Sequence, residues 1–206
     1  KAFQFNIPKI IHQLWVGDKP RPEKWMNTWK EKHPGWEYVL WGNEEIFLRE
    51  WKNQHLVNAY KEQKKWHGVA DVCTYEILHE FGGFMIGADA ICLNPIDELF
   101  LDGADSYGVY ENELIRPGLI SPLLASIKGG RFAKELIDGL SIVDNPGEPW
   151  RTTGNKYMGE MFKKTQQSVK IFPSHYFNPE HFTGVKYTGT DKIYAEQRWG
   201  TTLNAY

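Results

Sequence analysis

The residues of this chain best suited to do chemistry are two carboxylates, Asp71 and Asp89, in the stretch VADVCTYEILHEFGGFMIGADAICLNP, Val69 to Pro95. A carboxylate accepts hydrogen bonds and ligates hard cations, so two that converge on one place make a ligand site. Their spacing brings them together. Residues 69 to 81 have a helical pattern, with Ala70, Cys73, Ile77 and Phe81 on one face and Asp71, Glu76, His79 and Glu80 as the polar residues. Gly82 and Gly83 stop the helix. A helix over 69–81 runs roughly 20 Å at about 1.5 Å per residue, and a strand over 84–89 returns roughly 20 Å at about 3.3 Å per residue. Asp71, in the first helical turn, and Asp89, exposed at the strand's exit, therefore finish on one edge of a sheet. That is the carboxyl edge, where open α/β sheets bind ligands. Taken singly, Asp71 reads as a helix-start charge favoured by the dipole and Asp89 as a turn residue.

The elements that must hold these residues follow in order. IPKIIHQLWVG predicts a first strand ending near Trp15, its continuous apolar run suited to a strand covered on both faces. Glu23 to Lys32 predicts a helix with Trp25, Met26 and Trp29 inward, and WEYVLW a second strand. Residues 44 to 66 are helical in pattern, with Ile46, Phe47, Trp51, Leu56 and Tyr60 buried. Beyond Pro95 the pattern predicts a short helix at IDELF, a strand at SYGVYE, and a strand or buried turn within 119–127. Helices follow at Arg131–Leu140 and 155–166, with the loop DNPGEPW between them and a strand at Val169–Phe172. The last thirty or so residues read as loop with short strands. No repeat or linker divides the chain, so the reading is one α/β domain.

Composition excludes several classes. With 41% hydrophobic and 24% charged residues and a formal net charge of −2, the 206-residue chain has a core and no polyanion-binding surface, so nucleic acid is excluded as a partner. No apolar run approaches the roughly 18 residues of a membrane span, and the chain reads as cytoplasmic or otherwise soluble. It opens on Lys1 rather than Met, which leaves open an N-terminal anchor trimmed from it. Cys73 and Cys92 read as core thiols, the seven histidines lack paired zinc-ligand spacing, and there is no P-loop, GxGxxG or GxSxG. Nine tryptophans are many, and flat rings in a cleft stack on nucleobases and sugars.

The succession IPKIIHQLWVG, WEYVLW, ADxxxYEIL, GGF with a strand and an Asp, CLNPIDEL and a terminal YAxxxWGTT resembles glycosyltransferase family 32 over nearly the whole chain. This DXD sugar-binding group includes yeast-type initiating mannosyltransferases and is related to the catalytic core of the large glucosylating toxins. The resemblance implies a GT-A fold, a Rossmann-like αβα sandwich with a mostly parallel mixed sheet, over residues 1–206. It also implies a UDP- or GDP-linked sugar donor, Mn²⁺ or Mg²⁺ as divalent metal, and retaining transfer to a glycan or other hydroxyl acceptor. By position, Trp15 stacks on the base, Asp71 binds donor-sugar hydroxyls, and Asp89 binds the metal that bridges the diphosphate. Asp71 and Asp89 are the catalytic pair; Thr74, Gly87, Ala88, Arg198 and Trp199 complete the donor site.

Three positions depart from the family pattern. Gly87 stands where the first acid of DXD belongs, Thr74 where the helix carries Arg, and Gln197 where the terminal motif carries His. Either Asp89, the diphosphate and water hold the metal between them, or catalysis is metal-independent or lost and the cleft binds a nucleotide or glycan without transfer. Arg198, beside Gln197, can put a permanent cation near the diphosphate. Glu111 and Asn112, after a predicted strand, and Arg151 and Thr153, in WRTTG, are the acceptor-side candidates.

Overall fold

A computed structural model describes residues 6–165 and 168–199. Its central sheet has the order β2-β1-β3-β6-β5-β7, with β1 Ile10–Leu14, β2 Glu37–Trp41, β3 Gly83–Gly87, β5 Ser106–Val109, β6 Ala125–Ser126 and β7 Val169–Phe172. β6 alone runs antiparallel to its neighbours; the other pairings are parallel. A separate antiparallel ribbon joins β4, Ala90–Cys92, to β8, Ala195–Gln197.

Side chains alternate across the sheet as a pleat requires. In β3, Met85 joins a core with helices α3 (Gln54–Glu62), α4 (Trp66–Phe81), α5 (Arg131–Leu140) and α7 (Asn155–Thr165), and Phe84 and Ile86 enter a second core on the other face. The second core gathers Trp29 of α1 (Glu23–Lys32) with Phe100, Phe172, Phe177 and Tyr194. Cys73 and Cys92 are buried free thiols, as expected, and burial pushes Cys92 up to about 12. Among the described residues no helix is long and apolar enough to cross a membrane.

The double glycine between α4 and β3 is required by geometry. Gly82 and Gly83 have φ of 69° and 111°, and a Cβ on Gly83 would stand 2.6 Å from the Ile10 carbonyl oxygen. The buried His12 ring locks the same turn. Its Nδ1 accepts from the Trp41 indole at 3.1 Å, which leaves Nε2–H to donate to the Gly82 carbonyl at 2.9 Å, and burial lowers its pKa toward this neutral form.

Two readings of the helices are corrected. Residues 44–66 are not one helix but α2, Asn43–Phe47, and α3, with a break between them. The break is held from elsewhere in the chain: the Glu76 carboxylate of α4 accepts the Lys52 and Asn53 amides at 2.6 and 3.1 Å. Glu76 is thus buried rather than part of a polar face. Replacing it with alanine leaves both amides unsatisfied, and a loss of about 2–4 kcal/mol is expected in urea unfolding. The expected loop 144–150 also ends sooner than predicted, in a short helix α6, Pro149–Thr152.

Candidate functional site

Because β1, β2, β3, β5 and β7 run parallel, one edge of the sheet collects Trp15, Gly42, Gly87 to Asp89, and Tyr110 to Asn112. Helix α4 also begins there, since it runs back before β3. The two carboxylates therefore reach the expected edge. Asp89 lies in electrostatic reach of His67, which sits one helical turn, roughly 6 Å of rise, before Asp71. Crowding by the protein lowers the His67 pKa and Asp89 opposes that shift, although the residue retains solvent exposure.

The setting of Asp71 differs from the expectation in a way that matters chemically. The helix starts at Trp66, so Asp71 falls in the second turn, and it is 8% exposed rather than on a polar face. α4 is apolar nearly all round because it is wedged against α3, α5 and the sheet. Burial pushes the Asp71 pKa up to about 8, against the pull of the Thr153 hydroxyl 2.9 Å from Oδ2. Thr153 Oγ1 is also 3.2 Å from the Pro149 carbonyl, and one hydroxyl proton cannot serve both acceptors. A protonated Asp71 resolves the conflict: its carboxyl donates to Thr153, which donates to Pro149. The Thr153 main chain is fixed in turn by the Tyr75 hydroxyl, and a Cβ on Gly154 would come 3.0 Å from Asp71 Oδ2. Thr153 is therefore an inner partner of Asp71, fully buried, rather than a surface acceptor contact.

Around this pair the remaining candidates fall into place unevenly. Trp15 is half-buried, its indole donating to the Lys19 carbonyl at 2.9 Å in a loop whose Gly17 packs on the Trp66 indole. Thr74 and Ala88 are buried. Gly87 is exposed and nothing lies within 4 Å of where its Cβ would be. Asp89, half-buried in the β3–β4 turn rather than fully exposed, accepts the Arg198 amide on its main-chain carbonyl at 2.8 Å. The Arg198 guanidinium is 3.2 Å from Glu196 and partly exposed, while Gln197 pairs with Ala90 in the ribbon. Trp199 donates its indole N–H to the Glu180 carbonyl at 2.9 Å and packs against His181 and Phe182. Gly200, Thr201 and Thr202 of the terminal motif lie outside the described residues.

Glu111 and Asn112 are built into the scaffold. Glu111 is 6% exposed and receives Asn155 Nδ2 at 2.6 Å and His181 Nε2 at 3.2 Å, with Arg116 at 3.6 Å. Asn112 caps its own turn, accepting the Leu114 and Ile115 amides at 2.9 and 3.0 Å. Sequence reasoning missed His67, Arg116, Asn155 and His181. His67 alone left a signal, lying one turn ahead of Asp71 in the same helix; the others meet Glu111 only through the fold.

Residues 20–105 match the family described as a glycosyltransferase sugar-binding region containing a DXD motif. The chain is 35% identical over 106 residues to inositol phosphoceramide mannosyltransferase 1 of Schizosaccharomyces pombe, covering 46% of this chain and 31% of the relative. It is 30% identical over 140 residues to inositol phosphoceramide mannosyltransferase 3 of the same yeast, covering 65% of this chain and 37% of the relative. It thus spans about a third of the length of these curated relatives. Among solved structures, the PaToxG glycosyltransferase superimposes with a TM-score of 0.60 at 12% identity, over 78% of this chain and 70% of that one. Residues 20–105 are thus similar to a glycosyltransferase sugar-binding region containing a DXD motif, and the mixed, mostly parallel sheet that carries them is the fold found in the GT-A glycosyltransferases.

Proposed function

We propose that the chain is a single glycosyltransferase domain that moves a sugar from a UDP- or GDP-linked donor to an acceptor hydroxyl, with retention of configuration. The observation that carries this reading is the placement of Asp71 and Asp89 toward the carboxyl edge of the sheet, with His67, one helical turn before Asp71, in electrostatic reach of Asp89. The half-buried Trp15 is the ring assigned to stack on the base. Asp71, once ionised, accepts hydroxyl hydrogen bonds from the donor sugar, bonds of the stronger charge-assisted kind. The relatives named as mannosyltransferases make a mannosyl donor the first to test.

DXD glycosyltransferases typically use a divalent metal. Here the Gly87–Asp89 segment supplies one carboxylate, and no group of three metal-ligating side chains occurs among the described residues. Among the described residues these side chains do not form a divalent-ion site of their own. Arg198, tied by its amide to the Asp89 carbonyl, is the cation available to the departing diphosphate, which competes with Glu196 for it.

The single acid at Gly87–Asp89 also favours a second reading, a domain that binds a nucleotide or glycan without transfer. A panel of UDP- and GDP-sugars, assayed for hydrolysis and binding with Mn²⁺ and with chelator, separates the two. Hydrolysis above background is expected on the first reading. Binding without hydrolysis supports the second, and the absence of any nucleotide binding overturns the first and leaves only the glycan-binding form of the second.

A further inference from the structure

Trp199 has a φ of 53°, in the left-handed region that a bulky side chain enters only where its surroundings hold it there. One turn supplies most of that hold. The Glu180 carbonyl accepts the Trp199 indole N–H at 2.9 Å, the His181 ring lies 6.0 Å away between centroids, and the Phe182 ring meets the indole edge-on at 5.5 Å. On the other side, Trp199 follows Arg198, whose amide is bonded to the Asp89 carbonyl at 2.8 Å. The indole is thus one residue along the chain from the contact with the turn that carries Asp89.

His181 is the member of the holding turn that reaches inward, being 1% exposed where Phe182 is 40% exposed. Its Nδ1 faces two donors, the Thr183 amide at 3.3 Å and the Thr183 hydroxyl at 2.9 Å. Nδ1 therefore carries no proton, and the Nε2–H donates to Glu111 Oε2 at 3.2 Å. Glu111, two residues beyond β5, is fixed in turn by Asn155 Nδ2 at 2.6 Å. The turn is also closed on itself: the Val185 carbonyl accepts the His181 amide and the His181 carbonyl accepts the Gly184 amide, both at 2.8 Å. An unbroken run of hydrogen bonds and ring contacts joins the end of β5 to Trp199, and through Arg198 to the turn after β3.

Resting on the transferase reading above, we infer that His181 is a positioning residue: held by Glu111 and Thr183, it sets where Trp199, and with it Arg198, stands against the donor diphosphate. His181 is too deeply buried to touch the donor itself. Trp15 and Asp71 belong to other elements, so loosening the clamp spares nucleotide binding and costs the step in which charge develops on the diphosphate.

The full chain labelled with 5-fluorotryptophan gives nine fluorine resonances, one for each tryptophan, and Trp199→Phe identifies the one that belongs to Trp199. His181→Phe keeps a ring at the position and removes both nitrogens. It is expected to shift or broaden the Trp199 resonance, to lower kcat for hydrolysis of GDP-mannose or UDP-glucose about tenfold, and to leave the Kd for GDP and UDP within about threefold. Thr183→Val, an exposed change that leaves the core alone, moves each quantity the same way by less, and it serves if His181→Phe does not fold. A Trp199 resonance unmoved in the variants overturns the inference, as does unchanged turnover, or turnover and nucleotide affinity falling together. A parent chain that hydrolyses neither sugar defeats the transferase reading instead. The clamp then stands if GDP or UDP shifts the Trp199 resonance of the parent and not that of the variants, and falls if it does not.

Discussion

Asp71→Asn is expected to make the protein more stable and less competent at once. The folded-state pKa of Asp71 is raised from 3.8 to about 8, chiefly by burial. The folded chain therefore binds this proton more tightly than the unfolded chain. The stability it contributes is fully present below about 4, declines as pH rises toward 8, and is flat above. At about 1.4 kcal/mol per unit, such a shift has an upper bound of roughly 6 kcal/mol; relaxation around a buried charge makes about 2–4 kcal/mol the expected gain from asparagine at pH 8. Near pH 4 the two proteins should unfold at similar denaturant concentrations, and at pH 8 the variant should be the more resistant. Donor turnover should move the other way, by about a hundredfold, since asparagine keeps the shape but cannot become the acceptor-only, charged form. Donor affinity of the parent should also tighten between pH 6 and 8 as the proton leaves, and the variant's should not. Equal stability profiles, or a variant that turns over normally, would remove Asp71 from the site.

Gly87→Asp is the second large effect expected. The open space at Gly87 accepts a side chain without displacing a neighbour, and aspartate there restores two acids separated by one residue. Mn²⁺ affinity, followed by the loss of the free-ion paramagnetic resonance signal, should rise at least tenfold, because hard cations gain most from added anionic oxygens. The stability cost should stay within about 1 kcal/mol, the range of strand propensities. If the proposed transferase is limited by its missing acid, donor hydrolysis rises with the affinity. An unchanged affinity would mean that the segment does not face the diphosphate as the motif order implies.

The edge that holds both carboxylates was legible because it depends only on an amphipathic run, two glycines and an apolar strand. Asp71's burial was not. Periodicity equates polar with exposed, and α4 is enclosed by partners that its own pattern cannot name, with Thr153 arriving from the other half of the chain. The break before α3 was hidden for the same reason, since the carboxylate that satisfies it belongs to a different helix. Strand β6, only Ala125–Ser126, falls within the apolar run 119–127 that read as a strand or buried turn, but its bounds are set by main-chain pairing with β3 and β5 and not by a side-chain pattern. The surface roles expected of Glu111 and Thr153 failed where those residues turned out to brace the scaffold. Arg151 kept its exposure and shares the Trp150 ring with Arg116, a neighbour that spacing alone could not supply.

The β4–β8 ribbon sets the order in which this site is made. Ala90 to Cys92 take their partners from Ala195 to Gln197, and Asp89 takes its main-chain donor from Arg198. During synthesis the sheet strands β1 to β3 leave the ribosome long before that segment exists. At about 5–20 residues per second the turn bearing Asp89 waits several seconds for its support. A nascent chain stopped just before Ala195 has every strand of the main sheet and both carboxylates, yet β4, which follows Asp89, has no partner strand. The turn that carries Asp89 is thus completed only once Ala195 to Arg198 have emerged, well after the strands that flank it.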